Sequence, residues 1–155
     1  MARIFVEGDD VVVHLSWREK AAARHGNVRA PLTAVSRVTV EPDWWRALRG
    51  VPQRGVWIPA TWCIGTRSHQ GGMDFVAIRS GRPVVCVELR SSSPSSFSLF
   101  GVSVHTRAEA ANTAEAICGK APEIDTSTPW RQPLPVPEEN SVGAADGRLP
   151  ERRRR

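Results

Sequence analysis

The sequence predicts a mostly β fold with α content: seven antiparallel strands forming a partly open barrel of two orthogonal sheets, closed by a C-terminal α-helix. Three observations predict it. Residues 73–80, 83–90 and 97–105 are successive β-branched and aromatic runs, separated by Gly81-Arg82 and by the serine-rich residues 91–96, which have turn composition. Directly after them the apolar period lengthens, and Ala110, Ala111, Ala114, Ile117 and Cys118 fall on one narrow helical stripe. Four further strand-like runs precede this block, and seven antiparallel strands cannot leave both faces wet, so two packed sheets follow.

Residues 3–7 and 11–15 flank Gly8-Asp9-Asp10 and make a first hairpin, with Val11, Val13 and Leu15 on one face and Val12 and His14 on the other. Ser16 and Glu19 have capping-box spacing, which opens a short helix through Ala21, Ala22 and Ala23 that stops at Gly26. Residues 28–40 read as one long strand bent at Pro31, whose missing N–H places it at an edge or kink. In its second half Val38 and Val40 point one way, Arg37 and Thr39 the other. Asp43 caps a single helical turn over residues 44–49, ended by Gly50. Short helices therefore interrupt the connections between the second and third strands and between the third and fourth. Residues 51–55 read as loop, 56–64 as a fourth strand broken or bulged near Pro59, and 65–72 as an exposed hairpin loop. Thr106 and Glu109 cap the closing helix and Gly119 stops it, while its alanine face fits the open corner between crossed sheets.

The predicted domain spans residues 1–119. From Lys120 onward proline density rises, with Pro129, Pro133, Pro135 and Pro137, and the chain ends in Arg152 to Arg155. This composition is that of a Pro-rich, disordered tail, with Trp130 as the one residue suited to pin it to the body. The three cysteines, Cys63, Cys86 and Cys118, are odd in number and widely spaced, which suits free thiols in the reducing cytoplasm better than a disulfide framework. No signal peptide or long apolar span is visible. The net charge of +5 is spread through the chain: residues 1–119 carry 14 Lys or Arg against 10 Asp or Glu. A nucleic-acid surface needs a basic stripe, so no nucleic-acid partner is expected.

Chemistry-bearing motifs are sparse. Cys63 and His69 lie six residues apart, but a structural zinc site needs about four ligands in close-spaced pairs, and none exists here. His14, His25, His69 and His105 are scattered, and no oxyanion-building motif adjoins a cysteine. No cofactor, no metal and no catalytic residue is expected. The richest cluster is Trp44, Trp45, Arg46, Arg49 and Arg54, followed by Trp57. Indole offers a large apolar area with a polar edge, and guanidinium binds carboxylate or phosphate in a fork, so these residues are candidates for partner or lipid binding. The alternative is that one tryptophan fills the core and the arginines are solvated. Adjacent tryptophans on one helical turn cannot both point inward, so one of the pair must face solvent.

The order of elements, with the Phe75-Val76-Ala77-Ile78 and Pro83-Val84-Val85-Cys86-Val87-Glu88-Leu89 strands before a terminal helix, resembles a bacterial pleckstrin-homology-like (PH-like) domain. Phosphoinositide-binding relatives use a basic pattern in their first hairpin, whereas the turn here is the acidic Gly8-Asp9-Asp10. The resemblance implies a non-enzymatic binding or scaffolding module for a protein or peptide partner, with self-association through an edge strand as a variant. Peripheral association with anionic membrane lipid, through the Trp/Arg cluster and the terminal arginines, is the competing expectation.

Overall fold

The computed structural model describes residues 1–92, 94–122 and 124, and expectations for the Pro-rich tail, Trp130 included, lie outside the described residues. Among the described residues nine strands form two sheets. The first hairpin is as expected: β1 (Arg3–Glu7) pairs antiparallel with β2 (Asp10–His14) around Gly8-Asp9. Helix α1 (Trp17–Ala23) follows with a complete Ser16/Glu19 capping box, but it ends at Arg24, which adopts the left-handed conformation, and not at Gly26. The buried Glu19 carboxylate also accepts the Ala2 N–H at 2.7 Å, so one side chain starts the helix and fastens the N-terminus.

The expected long third strand is two strands. β3 (Val28–Pro31) completes the three-stranded sheet β1-β2-β3, a 310 turn over Leu32–Ala34 follows, and β4 (Val35–Glu41) belongs to the other sheet. Pro31 is therefore the place where the chain changes layers, because its ring ends the ladder that β3 shares with β2. A second 310 turn, Trp44–Ala47, leads to β5 (Val51–Ile58), which was expected to begin as loop. The fourth strand foreseen over 56–64 is a hairpin instead. Pro59 cannot donate and Ala60 takes φ 58°, so the chain reverses there into β6 (Trp62–His69), which occupies most of the expected exposed loop.

β7 (Gly72–Arg79) continues the meander, and β8 (Val84–Leu89) and β9 (Leu99–Ser103) form the last hairpin. The second sheet has the order β4-β8-β9-β7-β6-β5, with β7 and β9 parallel. This corrects the expectation of seven strands in a purely antiparallel arrangement, and no closed barrel forms. All five residues of β9 are buried, which suits a central strand and separates β7 from β8 although they are consecutive in the chain. Helix α2 (Arg107–Lys120) closes the domain as expected, packing on β4 and β8 of one sheet and β1 of the other. Thr106 caps it, whereas Gly119 lies within the helix and the cap is Ala121. The main core contains Val11, Val13 and Leu15 from the small sheet, Phe75, Val87 and Phe100 from the large one, and Ala110 and Ile117 from α2. A second cluster lies on the outer face of the large sheet, where Cys63, Val76, Ile78, Val84, Cys86 and Leu99 pack with Ala47.

Candidate functional site

The Trp/Arg cluster divides into separate jobs. Ala47, Trp44 and Leu48 lie against the second apolar cluster, so the 310 turn between β4 and β5 covers the outer face of the large sheet. Trp45 is 55 % exposed and meets Trp44 edge-to-face, with ring centroids 6.0 Å apart. One tryptophan thus faces in and one faces out, as one turn of helix requires. Arg46 Nε lies 3.4 Å from Asp43 Oδ2 in an exposed pair of small energetic weight. Arg49 turns inward: its Nε donates to Asp74 Oδ2 at 2.7 Å and its second terminal nitrogen to Asp74 Oδ1 at 2.6 Å. Arg54 sits apart on β5.

Asp74 was not among the expected site residues, yet it centres the densest polar network among the described residues. It is fully buried on the outer face of β7, where a carboxylate must be paired. Besides the Arg49 fork it accepts a bond from His69 Nε2 at 2.8 Å. His69 Nδ1 accepts the Gly71 N–H at 3.0 Å, which places the ring proton on Nε2. The buried Arg67 donates to the carbonyls of Arg49 and Gly50 at 2.9 and 2.7 Å. Burial opposes the charge on Arg49, but the hydrogen bonds and attraction of Asp74 outweigh it and its pKa is raised. The network fastens the segment before β5 to the β6–β7 hairpin.

Its chemistry is that of a clamp. A His–Asp pair resembles the orienting half of a catalytic dyad, but both imidazole nitrogens of His69 are occupied within the protein, leaving no atom to accept a substrate proton. Cys63 faces Arg67, whose terminal nitrogen lies 3.8 Å from Sγ, and not His69. Burial pushes the Cys63 thiol up, against a smaller lowering by Arg67, so the sulfur is held neutral. The signal for this network was present as strand register. Arg67 lies directly opposite Asp74, and Cys63, Arg67 and His69 alternate onto one face of β6.

The other prominent feature is the free edge of the large sheet. β5 is its outermost strand, and Val51, Trp57 and Ile58 are 60, 53 and 47 % exposed. Arg67 lies 5.9 Å from the Trp57 ring centre, a cation–π distance. β5 is held to β6 by a close approach at Gly55 and Gly65, which are register partners with φ of 121° and 133°. A Cβ on Gly65 would lie 2.0 Å from the Arg54 carbonyl oxygen, so only glycine fits. Among the described residues no helix is long and apolar enough to cross a membrane. Comparison with protein-family models, with curated proteins and with solved structures gave no match for this chain.

Proposed function

We propose that this chain is a non-enzymatic binding module that takes up an extended segment of a protein partner along β5. The observation that supports it is the edge itself. An outermost strand of eight residues, carrying Trp57 and Ile58 on opposite faces at its exposed end, offers amides that no other described strand pairs for strand addition, and apolar contacts on both sides. Self-association by the same edge is the variant in which a second copy supplies the strand. The occupied nitrogens of His69 and the neutral Cys63 thiol support the non-catalytic part of the reading. The two-sheet layout and the closing helix favour the PH-like attribution, while the parallel β7–β9 pair counts against it. Three free cysteines, two of them buried, favour a reducing cytoplasmic setting.

The membrane reading loses support at its cations. Of the arginines nearest Trp45, Arg46 is paired with Asp43 and Arg49 is spent on Asp74. The test is selection of a random-peptide display library against the wild-type chain and against Trp57→Lys, with light scattering to report self-association. Enrichment of extended apolar sequences that lose binding at least about tenfold to Trp57→Lys, or a dimer that the same substitution dissociates, is the expected result. A monomer that enriches no peptide, or peptides indifferent to Trp57→Lys, would overturn it.

A further inference from the structure

The inner face of β5, β6, β7 and β9 is built in rungs. Val56, Ile64, Ala77 and Val102 are register partners across four strands and form one apolar rung. The next rung is Arg54, Thr66, Phe75 and Phe100, so the first two strands switch from apolar to polar at positions that still face inward. Beyond it Ser68 lies opposite Met73. A β-bulge between Pro52 and Arg54 makes the turn of direction that brings Gln53 and Arg54 to the same place.

Gln53, Arg54, Thr66, Ser68 and Met73 line a cleft of about 510 Å³ with His25, Ser96 and Phe97. Its floor is aromatic. Phe97 meets Phe75 at 5.7 Å and Phe100 at 6.0 Å between ring centroids, and His25 meets Phe75 at a tilt and Phe97 edge-on at 5.6 and 5.7 Å. The polar groups above that floor have no partners among the described residues: neither the Arg54 guanidinium nor the Thr66 and Ser68 hydroxyls makes a hydrogen bond or ion pair. Thr66 is 7 % exposed, and its hydroxyl is reached from the cleft and is not sealed in the core. His25 Nδ1 is engaged with the Gly26 carbonyl at 3.0 Å, so its Nε2 is the nitrogen left to the cleft. No carboxylate of the described residues lines it.

From this we infer that the cleft is a binding site for a small organic carboxylate with an aromatic or otherwise apolar body. The carboxylate pairs with the Arg54 fork and the hydroxyls of Thr66 and Ser68, and the body rests on Phe97 and Met73. The cleft takes the side chains of Gln53 and Arg54 from β5, whereas strand addition uses the backbone edge of that strand and Trp57.

Titration of the 15N-labelled full chain with 4-phenylbutyrate, 4-phenylbutyramide and inorganic phosphate tests the assignment. Phenylbutyrate should shift the amides of Thr66, Ser68 and Phe97 saturably, and the neutral amide should bind about tenfold more weakly or worse. Arg54→Gln should weaken phenylbutyrate by a similar factor, whereas Arg46→Gln and Trp57→Lys should leave it unchanged. Absence of saturable shifts up to the solubility limit, or equal affinity in Arg54→Gln, would overturn the site. Phosphate binding as tightly as phenylbutyrate would overturn the apolar half of the assignment. Retained phenylbutyrate binding in Trp57→Lys separates this outcome from any failure of edge capture.

Discussion

At the scale of single residues, this protein spends its ionisable groups on structure. Glu19 fastens the N-terminus and starts α1 with one carboxylate, and Asp74 gathers Arg49 and His69 around another. Neither Asp74 nor its partners could be changed alone without stranding a buried charge or donor. Cys63 gives a pH-dependent consequence. Its thiol is raised in the folded state by burial, and so is that of Cys118 on α2, where burial is again the largest cause. Below the ordinary thiol value of about 8.5 both folded and unfolded thiols are protonated and contribute no slope. Above it the unfolded state ionises first, so stability falls as pH rises, until the folded-state thiol also ionises. The chain has no tyrosine to obscure this range. Denaturant unfolding between neutral pH and mildly alkaline pH should show that fall, and Cys63→Ala should reduce its slope; an unchanged slope would show that Cys63 does not titrate as its burial requires.

At the scale of elements, the hairpin β5–β6 depends on Gly55 and Gly65 more than on any side chain. At φ of 133°, with a backbone oxygen 2.0 Å from the place a Cβ would take, Gly65→Ala must push the two strands apart. It should cost about 2–3 kcal/mol by denaturant melting and strip hydrogen-exchange protection from β5 first. Gly26→Ala, which has open space around its position, should change stability little. The same glycines explain what was illegible in the sequence. Pro52 and Gly55 read as loop formers, but an edge strand tolerates proline, and glycine is what lets β5 approach β6. Likewise, Pro59 reads as a bulge in one strand, whereas the reversal depends on Ala60 adopting a left-handed conformation that composition does not announce. The capping signals were legible at the starts of both helices because they are local. Strand order was not, since only burial on both faces of β9 decides that it enters between β7 and β8. Of the candidate binding residues, the split between Trp44 and Trp45 followed from helical geometry. The Asp74 network and the cleft beside Arg54 needed the register of three strands.

At the scale of the whole molecule, the two sheets are one folding unit because a single core runs through both. Pro31 ends β3 in the small sheet and the 310 turn carries the chain into β4 of the large one, so the layers are covalently close at that corner. Helix α2 also joins them, touching β1 in one sheet and β4 and β8 in the other. Its stripe is sparse: Ala110 and Ile117 are its fully buried residues, and Ile117 is the only large one. Most of the apolar contact that joins the layers through α2 therefore depends on one side chain. Ile117→Ala should destabilise the protein by about 3 kcal/mol, from lost burial and from the cavity left between layers that cannot close independently. If the layers are one unit, hydrogen-exchange protection in β1–β3 and in β6–β9 should fall together and melting should stay a single transition. Loss of protection confined to the small sheet would show instead that α2 merely lies against a large sheet able to stand alone, and that the core shared by the two layers contributes little to their cooperation.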